Sequence, residues 1–313
     1  MSPTKDRAAL LPAELERKLA GFRFYRHAPT GGRVLGPHRG TGSGSSLEFA
    51  RHKEYSPGDD LRRVNWKLFA RSDRYYVKEY TRELGAEVLM VVDCSPSMRT
   101  PGAPTKLEAA SRLCAALSWV MLHQGDKVGL RLEDRGTVPG NLRPDRDPAH
   151  FLRVAKILGQ GLEGFPEDYP GFPADDGSRE RTVLFFSDFL FSTQHFVKRL
   201  SELRKGRNRV MLFHVIDPLE YRPALVDGVP DWSQAHADAF PYAEAVRFRC
   251  PETGRSILLD GRTMRAEYLQ SFRHFMEELR GAAEEYLTEY VPMSTAEDFE
   301  AFLFRLLGRA RRV

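Results

Sequence analysis

Val88-Leu89-Met90-Val91-Val92-Asp93-Cys94-Ser95-Pro96-Ser97-Met98 joins an unbroken apolar run to a loop with one carboxylate and two hydroxyls at alternate positions. Five apolar residues in a row predict a strand buried on both faces, as in a parallel sheet. Thr105-Lys106-Leu107-Glu108 follows with the capping-box pattern of a helix start. Strand, loop and helix in that order put Asp93, Ser95 and Ser97 at the carboxyl end of a parallel strand, where open α/β sheets bind ligands. Two hydroxyls can touch a small hard cation such as magnesium while a carboxylate neutralises it. Helix capping is the competing reading, because Ser and Asp after a strand commonly cap the next helix and bind nothing.

The same grammar recurs downstream. A helix over 105–123 carries Leu107, Ala110, Cys114, Leu117 and Met121 on one stripe. Strands are expected at Lys127–Glu133, Thr182–Ser187 and Val210–Val215, the second ending in Asp188 and the third near Asp217-Pro218. Asp147-Pro148 reads as a helix start with proline in the first turn, and a further helix is expected over 193–205. Residues 218–244, rich in Pro, Asp and Tyr, read as irregular. Ala245–Cys250 and Ser256–Leu259 flank Glu252-Thr253-Gly254 as a hairpin. A long helix over about 264–285, a strand at Tyr290–Pro292 and a helix capped within Ser294–Asp298 complete the chain. This alternation predicts an α/β fold, a Rossmann-like doubly wound parallel sheet with right-handed crossovers. It carries a small β-hairpin insertion at about 218–262.

Ahead of residue 87 the pattern differs. Residues 12–27 read as an amphipathic helix presenting Leu15, Leu19 and Phe22. Gly36 to Ser46 reads as a connector, since Gly40-Thr41-Gly42-Ser43-Gly44 lacks the Lys-Ser/Thr ending of a phosphate loop. Asp59 or Asp60 is placed to cap a helix running through Trp66 to about Ala70, and Tyr75–Tyr80 reads as a strand. These features predict an N-terminal extension over 1–86 and an α/β domain over 87–313.

The chain has 313 residues, 42% hydrophobic and 29% charged, enough for a large core. Residues 1–86 carry 17 Lys and Arg against 10 Asp and Glu, a net +7; the remainder carries 30 against 33, a net −3. A basic N-terminal part suits nucleic acid, acidic lipid or an acidic protein surface. No apolar run is long enough to span a bilayer, and the polar N-terminus shows no export signal. Cys94, Cys114 and Cys250 are odd in number and lack zinc or redox spacing, which points to a reduced, cytoplasmic setting. Cys94 and Cys114 are expected to be buried free thiols. No His-Glu-x-x-His or Gly-x-Ser-x-Gly pattern occurs, and His123, His195 and His214 stand alone. A metal-dependent hydrolase would therefore lack a visible nucleophile–base pair.

Asp93-x-Ser95-x-Ser97 resembles the metal-ion-dependent adhesion site of von Willebrand factor A-type domains, with Asp188 at their second acidic position. Leu47-Glu48-Phe49, Arg51, Glu54-Tyr55, Pro57-Gly58-Asp59-Asp60, Arg62, Asn65-Trp66-Lys67 and Ala70-Arg71 resemble the signature of domain-of-unknown-function family 58, which precedes such a domain. The resemblance implies a von Willebrand factor A-like fold. It also implies a non-enzymatic interaction module, with weakly held Mg2+ or Mn2+ at Asp93, Ser95, Ser97 and Asp188 and a partner's acidic side chain completing the shell. It further implies a protein partner, a MoxR-type AAA+ ATPase or its client, with the chain acting as an adaptor in assembly or maturation. Arg51, Tyr55, Asp59, Asp60, Arg62, Arg63, Trp66 and Arg71 are the expected docking residues. The family's middle-loop threonine has no counterpart in Gly159-Gln160-Gly161-Leu162-Glu163-Gly164. The alternative function is binding of nucleic acid or an anionic surface through the basic N-terminal part, which steep salt dependence would reveal.

Overall fold

The computed structural model describes residues 10–24, 47–55, 64–72, 74–82, 86–100, 102–134, 137–160, 181–205, 208–242 and 244–309. The chain divides into two compact units, Met1–His27 with Ala86–Val313, and Ala28–Gly85. This division differs from the 1–86 extension read from the sequence, and the first helix, α1 (Ala13–Leu19), supplies the reason. Its Leu15 and Leu19 are buried in the core of the larger unit. The helix stops short of the expected residue 27, ahead of Gly21. Past it, the Phe24 amide donates to Gln124 Oε1 at 3.0 Å.

In the smaller unit, β1 (Leu47–Glu54) and β2 (Tyr76–Arg82) pair antiparallel, and α2 spans Trp66–Ser72. Phe69 stacks on Tyr75 at 4.4 Å between ring centroids, with Trp66 edge-on to both. Trp66 itself is 62% exposed, so its indole is a surface group. Trp66→Ala is accordingly expected to cost about 1 kcal/mol, the scale of edge-on ring contacts rather than of a vacated core site. A loss above about 3 kcal/mol in a denaturant melt would return the indole to the core.

The larger unit is built on β3 (Glu87–Asp93), β4 (Lys127–Asp134), β5 (Thr137–Asp145), β6 (Arg181–Ser187), β7 (Arg209–Ile216) and, past two hairpins, a last strand at Glu289–Ser294. The sheet runs last strand, β7, β6, β3, β4, β5, with every pair parallel except β4 and β5. It is thus a doubly wound, mostly parallel sheet, as expected, with an antiparallel edge that the sequence did not announce. Pro139, Gly140 and Pro144 hide β5, residues tolerated at an edge but foreign to a central strand.

The unbroken apolar run of β3 has a simple cause. Val88, Met90 and Val92 enter one core with α3 (Lys106–His123) and α4 (His150–Gln160). Leu89 and Val91 enter the other with α5 (Thr193–Leu203). The capping box of α3 is present, with Thr105 accepting from the Glu108 amide at 3.1 Å. Residues 218–244 are less irregular than expected. β8 (Pro223–Val226) and β9 (Val229–Ala235) form a hairpin across Asp227-Gly228, whose φ of 51° and 76° are those of a type I′ turn. β10 (Ala245–Arg249) and β11 (Ser256–Asp260) form the expected second hairpin, followed by α6 (Gly261–Glu285), β12 (Glu289–Ser294) and α7 (Phe299–Arg309). No helix among the described residues is long and apolar enough to cross a membrane.

Cys94 and Cys114 are buried and Cys250 is exposed, all three free. Burial pushes the Cys94 thiol up to about 11 and that of Cys114 up to about 12, whereas hydrogen bonds with Thr253 lower that of Cys250. A thiol reagent is expected to label Cys250 in the native chain and the other two only on unfolding, read by mass spectrometry.

Candidate functional site

From β3 the chain crosses to β4 on one side, and from β6 to β7 on the other. The direction of winding therefore reverses between β3 and β6, and the crevice at their carboxyl ends is where a doubly wound sheet takes ligand. Asp93 ends β3, and Ser187-Asp188 ends β6. The sequence-predicted group Asp93, Ser95, Ser97 and Asp188 thus lines one cavity of about 400 Å³. All four are buried, none more than 7% exposed.

Asp93 is held from two sides. Its Oδ1 accepts from the Ser95 amide at 2.9 Å and its Oδ2 from the Ser187 hydroxyl at 2.6 Å. Ser187 Oγ in turn accepts from the amide of Phe189, a residue at φ 51°. Burial pushes the Asp93 carboxyl up to about 6 against these hydrogen bonds, with Asp188 adding to the rise. Ser95 Oγ and Ser97 Oγ lie 3.1 Å apart. Two adjacent oxygens on an octahedral magnesium at 2.0–2.1 Å are separated by about 3 Å, so the hydroxyl pair fits that ion. Asp93 with the two hydroxyls is a hard-oxygen set. Among the described residues, no group of three or more His, Cys, Asp or Glu has a metal-holding arrangement.

Asp188 is engaged differently from the sequence expectation. Lys106, the first residue of α3 and 1% exposed, donates from Nζ to Asp188 Oδ2 at 2.8 Å and also to Glu220 Oε1. Burial disfavours the ammonium, but the two carboxylates override it and hold the Lys106 pKa above its ordinary value. Asp188 therefore has a resident cation of the chain's own.

Glu252, at the tip of the β10–β11 hairpin, also reaches the cavity. Its Oε1 accepts from the Ser97 amide at 2.8 Å. Lining the same cavity, Glu133 lies 3.3 Å from Arg131 and is also paired with Arg199. His195 lines the cavity, while His214 is packed against Phe189 and bonded to the Tyr290 hydroxyl. Burial holds His214 down to about 3, which keeps it neutral. His123 stacks on Trp119.

Sequence reasoning missed Lys106, Ser187, Glu220 and Glu252 as members of the site. One signal was available for Lys106. A lysine in the first turn of a helix opposes the helix dipole, which asks for a specific acidic partner. Of the expected docking residues, Arg51 sits on β1 opposite Glu79, Tyr55 is edge-on to Tyr75 at 6.4 Å, and Trp66 and Arg71 are exposed. Asp59, Asp60, Arg62 and Arg63, like the middle-loop stretch 161–164, lie outside the described residues.

A family model described as "Protein of unknown function DUF58" matches residues 51–225. Uncharacterized proteins of Mycobacterium tuberculosis (Rv1480) and Mycobacterium bovis (Mb1516) are each 30% identical over 197 residues. The match covers 60% of this chain and 60% of each relative, so the chain spans about 60% of their length. Among solved structures, the conserved hypothetical protein BatB from Bacteroides thetaiotaomicron is similar at a TM-score of 0.40 and 18% identity, covering 73% of this chain and 100% of that one. An aerotolerance-related membrane protein from Bacteroides fragilis gives 0.38 and 17%, covering 72% and 100%.

Proposed function

The chain belongs to the DUF58 family, and from that membership and the strand-end geometry we propose that it is a non-enzymatic protein-interaction module with a metal-ion-dependent adhesion-like site. Asp93, Ser95 and Ser97 hold Mg2+ or Mn2+ weakly, and Asp188 stays with Lys106. The bound ion supplies positive charge to which a partner's carboxylate is drawn. The working partner is a MoxR-type AAA+ ATPase or its client, with this chain as adaptor in assembly or maturation; that step follows the family resemblance and no contact in the chain.

The observation that carries the reading is the 3.1 Å hydroxyl pair beside a buried carboxylate at the point where the sheet reverses its winding.

Calorimetric and thermal-shift titration of the full chain with magnesium, manganese and zinc tests this. Magnesium and manganese are expected to bind and zinc to be disfavoured by the all-oxygen donor set. At tenfold excess over its Kd the ion adds about 1.4 kcal/mol of stability. Capture of partners from native lysate should then differ with and without magnesium. No heat, no shift and no change in capture would reduce Asp93, Ser95 and Ser97 to a turn and cap arrangement.

A further inference from the structure

We infer that Glu252 is an internal ligand of the strand-end site, so that the β10–β11 hairpin caps the site and an acidic segment of a partner must displace it. The inference rests on the reading of Asp93, Ser95 and Ser97 as a carboxylate-receiving site. It adds what occupies that site in the chain by itself, and what chemistry takes its place.

Three observations carry it. The first is the contact. A carboxylate 155 residues downstream accepts from the Ser97 amide at 2.8 Å and lines the same cavity as Ser95 and Ser97. A carboxylate seated on the loop that presents Ser95 and Ser97 is what a partner's Asp or Glu would provide.

The second is the construction of the arm. Glu252 sits in a tight turn closed by the Gly254 amide donating to Cys250 O at 2.8 Å, with Gly254 at φ 71°. The turn fixes the backbone from which Glu252 reaches the Ser97 amide. The two strands behind it are otherwise thinly packed. No residue of β10 or β11 is buried, and Ile257 and Leu258 are 56% and 64% exposed. A two-stranded ribbon with so little burial is marginal by itself and opens more easily than the sheet beneath it.

The third is the anchor at its base. Gly261 opens α6 with its Cα against Tyr242, where an added Cβ would lie 2.1 Å from the Tyr242 carbonyl oxygen. Phe248, one residue from the tip end of β10, is half-buried and packs beside Phe240 and Tyr242. The arm is therefore fixed at its root by Gly261 and held toward its tip by Phe248 and Glu252, with Ile257 and Leu258 of β11 exposed. Lifting the tip gives up the Phe248 ring contacts and the Glu252–Ser97 bond but uncovers no fully buried residue of either strand, which is what a displaceable internal ligand requires.

The test uses the full chain, in magnesium and again in chelator, and a synthetic peptide of residues 248–256 as probe. A second peptide carries Gln in place of Glu252. The Glu252→Ala chain is expected to bind the Glu peptide at least tenfold more tightly than the wild-type chain does, and to discriminate against the Gln peptide. A tenfold gap corresponds to an arm seated about nine-tenths of the time. Amide exchange gives an independent readout in folded protein. The Ser97 amide should exchange at least tenfold faster in Glu252→Ala, and Glu252→Gln should restore part of the protection. Equal peptide binding by the two chains, no preference for Glu over Gln, or unchanged Ser97 exchange would each overturn the inference. The two readings fail separately. Magnesium binding without peptide discrimination removes the arm and keeps the metal; discrimination without any magnesium effect keeps the arm and removes the metal.

Discussion

Lys106→Met is expected to destabilise the chain by about 3–5 kcal/mol. The side chain is 1% exposed and its ammonium bridges Asp188, itself buried, and Glu220. Methionine keeps most of the apolar stem, so the loss isolates the charge rather than the packing. It leaves a carboxylate 3% exposed with no counterion, and removing one partner of a buried pair costs that much because the other charge stays buried. The pair itself need not be worth as much, since replacing both partners together is often neutral. Lys106→Met combined with Asp188→Asn should therefore recover more than half of the loss, and a double-mutant cycle in urea would show the coupling. A loss below about 1 kcal/mol for Lys106→Met alone would mean that Lys106 does not neutralise Asp188. The site would then need its charge balanced from elsewhere.

Asp93→Asn should act in the opposite direction on stability while abolishing metal binding. Burial, the largest cause, raises the Asp93 carboxyl to about 6 from an ordinary 3.8. The native state thus binds its proton more tightly than the unfolded chain, and stability from this group is fully present below pH 4 and lost as pH rises through about 6. At pH 7.5 in chelator, ionised Asp93 costs about 3 kcal/mol, two pKa units at 1.36 kcal/mol each. Asparagine removes that cost and can keep both contacts, accepting from the Ser95 amide and donating to Ser187 Oγ. Chemical denaturation of the variant in chelator should show a gain of up to about 3 kcal/mol at pH 7.5 that vanishes near pH 4. Magnesium should add nothing to it, while it should narrow the gap by stabilising the wild type. A variant less stable than wild type at pH 7.5 would show that the hydrogen bonds to the carboxylate outweigh its burial.

Much of this chain was readable from its residues alone because the governing physics is local. A strand covered on both faces needs five apolar residues in a row, and Val88–Val92 has them. Thr105 and Glu108 cap each other within one turn, so the start of α3 is visible without any tertiary contact. The positions of Asp93 and Asp188 at strand ends follow from the same pattern, as does the hairpin carrying Glu252. Edge strand β5 escaped because an edge is free of the demands that make central strands recognisable. What only the tertiary structure decided is which charges meet. Lys106 finds Asp188 at a separation of 82 residues and Glu220 at 114, and Glu252 finds Ser97 at 155. No periodicity spans such distances. A lysine or a glutamate reads as solvated surface until the fold buries it, and only burial makes its partner obligatory.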